Sequence, residues 1–252
     1  MDTPVVLITG AAGGVGQALV ERFSAGGWRV FASDLDGPRL AQLQARFALA
    51  GSLAGDIRLP ARCNAIVAAA VAACGRLDAL VNAAGVWREG PVDSFSEADF
   101  DLVLDVNLKA TFFMCAAAIP HLKASEGAIV NISSDAGRQG NRNAAAYCAS
   151  KGAVTLLSKT LALDLAPFGV RCNCVSPGDI DTPMLSFQAE HYGAGDPQGY
   201  YRELLAKYPQ GERARFIQPQ EVAELVFFLC QPAARSITGA DLAIDNGVSA
   251  GN

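Results

Sequence analysis

Tyr147 and Lys151 stand four residues apart in AAAYCASKGAV, and Ser134 closes the apolar run GAIVNISS thirteen residues before the tyrosine. Residues i and i+4 of a helix share a face, with Cβ atoms roughly 5–6 Å apart. A phenol, an ammonium and a hydroxyl gathered this way can serve one carbonyl-sized substrate. A tyrosine titrates near ~10, so a general base working at neutral pH needs that value lowered. The neighbouring positive charge favours the phenolate. Taken alone, a YxxxK pair describes equally well a half-buried tyrosine beside a solvated lysine, so the surrounding elements must supply the context.

Those elements alternate. Apolar runs at 5–10, 28–34, 52–57, 77–85, 127–134, 170–178 and 241–247 are separated by helical patterns, among them 14–25, 60–74, 97–121, the segment carrying Tyr147, and 219–230. Continuous apolar strands alternating with helices predict an α/β fold with a parallel sheet covered on both faces. No internal repeat or Pro/Gly/Ser-rich linker divides the chain, which predicts one domain. Residues 179–216 break the pattern, with Gly193, Gly195, Pro197, Gly199 and Pro209 among Tyr192, Tyr200 and Tyr201. A stretch of this length after a strand end reads as a lid or binding loop, or as a structural excursion with short helices.

Composition narrows the function classes. The 252 residues are 51% hydrophobic with 25 glycines and a net charge of −5. No basic stretch is dense enough for a nucleic-acid surface. The apolar stretches at 65–74 and 111–119 are too short to span a bilayer, and the N-terminus shows no secretory leader, so a soluble, cytoplasmic protein is expected. The seven cysteines form no CxxC and there are two histidines, which argues against a metal site and for reduced thiols.

TGAAGGVG at 9–16 closes the first strand and opens the first helix. Gly10, Gly14 and Gly16 let the backbone approach a pyrophosphate, and the helix N-terminus presents free N–H groups and partial positive charge to it. A glycine turn that merely allows tight helix–sheet packing is the alternative. Asp34 ends the second strand, where a carboxylate can accept hydrogen bonds from ribose hydroxyls and would repel a 2′-phosphate. This favours NAD over NADP, although Arg39 lies just downstream. Asp34 or Asp36 could instead cap the following helix.

Together these pieces resemble the single-domain short-chain dehydrogenase/reductase family. The likeness covers nearly the whole chain: TGAAGGVG, NAAG at 82–85, the asparagine of LDVNL, NISS at 131–134, YCASK at 147–151, SPG at 176–178 and the terminal ITGADLAIDNG. The resemblance implies a doubly wound (Rossmann) seven-stranded parallel sheet, an NAD-dependent oxidoreductase acting on a secondary alcohol or ketone, and a homotetramer. It implies Tyr147 as general acid/base, Ser134 as the hydroxyl that binds the substrate oxygen, Lys151 as the group that lowers the tyrosine pKa and holds the nicotinamide ribose, and Asn107 as holder of a water beside Lys151. Strand alternation also allows only one of Ser133 and Ser134 to face the site. The cofactor positions it implies are Gly10, Gly14, Val15, Gly16, Asp34, Asp56, Ile57, Asn82, Ala83, Gly85, Pro177, Gly178, Ile180 and Thr182. One departure is Asn246, where relatives often carry glycine.

Trp87, Arg88, Arg138, Asn141, Arg142, Tyr192 and Tyr200 fall on segments expected to rim the substrate pocket. The three arginines suit a substrate carboxylate, or else form solvated or intersubunit ion pairs. Several segments also look like dehydrogenases of cyclic dihydrodiols, sugars and polyols. The rival readings are a catalytically idle dinucleotide-binding scaffold and an enoyl reductase of the same fold.

Overall fold

The structure is a computed structural model that describes residues 3–251. Seven parallel strands form one sheet in the order β3-β2-β1-β4-β5-β6-β7. They are β1 (Val5–Thr9), β2 (Arg29–Asp34), β3 (Gly51–Ala54), β4 (Ala79–Asn82), β5 (Ala128–Ile132), β6 (Arg171–Pro177) and β7 (Asp241–Ile244). The order reverses between β1 and β4, which opens a crevice at the carboxyl ends of these strands.

Alternation along each strand builds two cores. Val6 and Ile8 join Leu19 and Phe23 of α1 (Gly14–Ala25), Leu40 and Leu43 of α2 (Gly37–Arg46), and Val222 and Val226 of α9 (Pro219–Cys230). Val5 and Leu7 face the other way. They meet Ile66 and Val67 of α3 (Pro60–Cys74), Met114 and Ala118 of α5 (Ala110–Ser125), and Ala162 and Leu165 of α6 (Ala145–Leu165). Both strand faces are thereby removed from water, as the apolar runs predict.

The third strand is shorter than the sequence suggests, and the fourth helix longer. α4 (Glu97–Leu104) continues through a π-helical turn at Asp105–Lys109 into α5. The resulting helix Glu97–Ser125 has 29 residues and contains an 18-residue stretch with a mean hydropathy of 1.7, enough by length and composition to cross a membrane. The single helix read over 97–121 is thus present, with the π turn inside it and its end at Ser125. Here the helix packs on α3, β4, β5 and α6.

Segment 179–216 contains α7 (Pro183–Tyr192) and α8 (Pro197–Leu205), and an Ile180–Ile217 bridge pins its two ends together. Asn246 takes a left-handed φ of 53°. That conformation suits glycine, and asparagine is the side chain that tolerates it next best.

Candidate active site

The cleft at the strand reversal has a volume of about 810 Å³. At its nucleotide end, α1 begins at Gly14 with no side-chain cap, so its first N–H groups face the cleft. Three glycines make this loop possible. Gly10 has φ +64°, and a Cβ there would meet the Ala84 backbone. A Cβ on Gly16 would collide with the Gly10 carbonyl, and one on Gly14 with Thr182. This cradle fits a phosphate, whose charge the helix end stabilises.

Asp34 Oδ2 accepts the Ala12 N–H at 2.9 Å and Oδ1 accepts the Asp36 N–H at 3.0 Å. The helix cap is Asp36, which accepts the Arg39 N–H at 2.9 Å. Asp34 is thus a strand-end carboxylate at the wall of the cleft. Arg39 also lines the cleft, and its guanidinium lies 3.4 Å from Asp36. Asp56 is bound by Arg58 through bidentate contacts of 2.7–3.0 Å, which hold its carboxyl below the usual range.

Val15, Ile57, Ala83, Gly85, Pro177, Gly178, Ile180 and Thr182 all line the same cleft. Asn82 does not. Its Nδ2 donates to Asn131 Oδ1 at 2.8 Å and to Cys115 Sγ at 3.3 Å, inside the sheet–helix layer. Its side chain takes the structural role at the strand end: β4 pairs Asn82 with Asn131 across the ladder, and the side chain follows that register.

Ser134, Tyr147 and Lys151 line the same cleft as the glycine loop. Ser134 Oγ donates to Asp135 Oδ1 at 2.8 Å, whereas the Ser133 hydroxyl turns to the Lys151 carbonyl at 2.9 Å. Lys151 is 4% exposed and donates from Nζ to the Ile132 carbonyl at 2.8 Å. Trp87 packs on Tyr147 with ring centroids 4.3 Å apart.

Asn107 sits in the π turn, 1% exposed. Its Oδ1 accepts the Val86 N–H at 2.9 Å, and its Nδ2 donates to the Val86 carbonyl and the Ser150 hydroxyl, each at 3.1 Å. It clamps the loop that follows NAAG to α6 and does not line the cleft itself. The π turn supplies the geometry, as such turns often do at functional sites.

The electrostatics correct one expectation. Burial pushes the Tyr147 phenol up, a hydrogen bond with Ser134 offsets part of this, and the charges of Asp135 and Asp179 add to the rise. Burial also pushes Lys151 down to about 8. The Lys151 ammonium lies 5.7 Å from the Tyr147 ring centroid and does not overcome desolvation of the phenol.

At the substrate end only Trp87 and Asn141 of the sequence candidates line the cleft. The arginines are not there. Arg88 binds Asp99 at 3.0 Å and the Trp87 carbonyl at 2.8 Å. Arg138 reaches Asp241 at 3.3 Å. Neither Arg142 nor Tyr192 lines the cleft, the latter packing near Phe187 and His191. The expected carboxylate clamp is therefore absent among the described residues, with the guanidinium groups of Arg88 and Arg138 held in ion pairs outside the cleft.

In their place stand residues the sequence reading missed: Asp135, Asp179, Met184, Leu185 and Gln188. Asp179 follows SPG directly, which was the available signal. Tyr200 of α8 donates to Glu89 at 3.2 Å, and Glu89 also accepts from the Trp87 indole at 2.9 Å, so α8 is tied to the wall behind Tyr147. Among the described residues no cluster of metal ligands occurs.

Comparison with known proteins agrees with this geometry. The family described as Enoyl-(Acyl carrier protein) reductase matches residues 10–249. The chain is 36% identical to trans-4-hydroxycyclohexanecarboxylate dehydrogenase of Sinomonas cyclohexanicum, over 98% of this chain and 93% of that protein. It is 38% identical to D-threitol dehydrogenase of Mycolicibacterium smegmatis, with the same shares covered. The solved structure of 3-ketoacyl-(acyl-carrier-protein) reductase from Brucella melitensis complexed with NADH superposes with a TM-score of 0.87 at 30% identity, covering 98% of this chain and 99% of that one. With these matches spanning the seven-stranded sheet and its cleft, the chain belongs to the short-chain dehydrogenase/reductase family, oxidoreductases that use a nicotinamide cofactor on CH–OH groups.

Proposed function

We propose that the enzyme interconverts a secondary alcohol and its ketone on a polyol, sugar or cyclic diol, with NAD as the preferred dinucleotide. The single observation that carries this reading is the convergence of Ser134, Tyr147 and Lys151 on the cleft that also holds the uncapped glycine loop. A bound dinucleotide supplies the hydride acceptor or donor. In the oxidation direction Ser134 holds the substrate oxygen, Tyr147 takes the hydroxyl proton at its phenolic oxygen, and Lys151 steadies the ribose and the charge of the phenolate. Asn107 acts through Val86 and Ser150 as a positioning residue. Residues 179–216 serve as the substrate loop of a single catalytic domain.

The test is a screen of secondary alcohols, polyols and cyclic diols, read as NADH absorbance, with NADP+ in parallel and an enoyl thioester plus NADH as the rival arm. Turnover of the thioester in place of every alcohol would overturn the proposal. Because Asp34 would meet a 2′-phosphate with like charge, kcat/KM with NAD+ is expected to exceed that with NADP+ by at least about tenfold. Asp34→Ala should narrow the ratio, and an unchanged ratio would remove Asp34 from cofactor choice.

A homotetramer is supported by apolar side chains left open on α5 and α6. Leu156 is 66% exposed, Leu163 77% and Phe112 49%. Such a patch marks an association surface. Light scattering is expected to give four chains, and Leu163→Glu to give smaller species with unchanged cofactor binding. A wild-type monomer at micromolar concentration would rule the tetramer out.

A further inference from the structure

Asp179 follows β6 and lines the cleft together with Tyr147 and Ser134. Tyr208 fixes it from behind: the Asp179 N–H donates to the phenol oxygen at 2.9 Å, and the phenol donates to Asp179 Oδ2 at 3.1 Å. Oδ1 receives no hydrogen bond from the described residues. A clamped carboxylate with one free oxygen inside a substrate cleft is an acceptor awaiting a donor.

Carboxylates outnumber cations along the cleft. Asp135 lines the same end, its Oδ1 engaged by Ser134 and the Ala136 N–H. Among the described residues the lining cations are Lys151, held by the Ile132 carbonyl, and Arg39 and Arg58, paired with Asp36 and Asp56 at the nucleotide end. Gln188, Asn141 and Trp87 add neutral polar groups to the lining.

Resting on the reading of the cleft proposed above, we infer that Asp179 determines substrate specificity: it accepts a hydrogen bond from a second hydroxyl of the substrate and repels carboxylates, so the pocket selects uncharged, polyhydroxylated alcohols. A site built around a buried acceptor rejects an analogue that cannot donate to it, and like charge in a partly desolvated cleft adds repulsion. This chain thereby differs from what the name of its hydroxycyclohexanecarboxylate-oxidising relative suggests.

The groups facing Asp179 set its titration. Burial, then the charge of Asp135, raise it to about 6, against the Tyr208 hydrogen bond and the charge of Lys207. Tyr147 and Tyr200 also feel its charge. Selectivity should therefore be full at pH 8.5 and fade below pH 6.

The experiment is calorimetric titration of the full chain saturated with NADH, which reads the pocket without requiring turnover. The probes are trans-cyclohexane-1,4-diol and trans-4-hydroxycyclohexanecarboxylate. At pH 8.5 the diol is expected to bind at least about tenfold more tightly. Asp179→Asn, which keeps the shape and an acceptor for Tyr208, should bring the two within about threefold, and so should wild-type protein at pH 5.5. NADH fluorescence checks that the variant is folded; if it is not, the wild-type pH series decides.

Equal or tighter binding of the carboxylate, binding of neither probe, or a ratio unmoved by both Asp179→Asn and pH overturns the inference. Failure of the functional reading shows differently, as diol binding with the expected selectivity but no NAD-linked oxidation of any alcohol.

Discussion

Tyr147→Phe is expected to lower kcat/KM for alcohol oxidation by about 10²–10⁴-fold, the usual contribution of a positioned acid or base, while leaving the dissociation constant for NADH within about threefold. The ring that packs on Trp87 at 4.3 Å is retained. Ser134 keeps its bond to Asp135, so loss of the phenol strands no donor. Stability should change by less than about 1 kcal/mol. Because burial, Asp135 and Asp179 all hold the phenol in its protonated form, oxidation by the wild type should accelerate as pH rises and ketone reduction should not. Steady-state kinetics in both directions, with NADH titration of the variant, measures this. A variant retaining more than about a tenth of wild-type oxidation rate would exclude Tyr147 as the proton carrier.

The parts of the fold and site that were legible are those written in local chain geometry. The glycine loop is readable because glycine favours φ +64° at position 10, where a Cβ would meet the Ala84 backbone, and allows the close packing at position 16. The parallel sheet is readable because Val5 to Ile8 are apolar on both faces. Tyr147 and Lys151 share a helix face by spacing alone. What was not legible depends on partners distant in sequence. Arg138 pairs with Asp241, and Arg88 with Asp99, so their charge never enters the cleft. Asn82 is taken by Asn131 through strand register. Asp179 acquires its character from Tyr208, twenty-nine residues on, and from desolvation in the cleft that α7 residues also line. The π turn at Asn107 inserts one residue of phase that no hydrophobic pattern announces, inside the one helix that the pattern predicts over 97–121.

Lys151→Met should separate function from stability. The ammonium is 4% exposed, and burial lowers its pKa from 10.5 to about 8. The native state therefore holds this proton less tightly than the unfolded chain. Its penalty is absent above the unfolded pKa and develops as pH falls from 10.5 to 8, reaching about 3 kcal/mol below that at roughly 1.4 kcal/mol per unit. Methionine fills a similar volume and removes the penalty, but it leaves the Ile132 carbonyl without its donor at a cost of about 1–3 kcal/mol. The variant should thus match or exceed wild-type stability at pH 7 and fall below it at pH 10. Activity should still drop by at least about 100-fold, since no ammonium remains to steady the ribose or the phenolate. Urea unfolding at the two pH values, beside kinetics at pH 7, provides the check. Equal destabilisation at both would refute the burial account of Lys151, and an active variant would refute its role, so each half of the argument can fail alone.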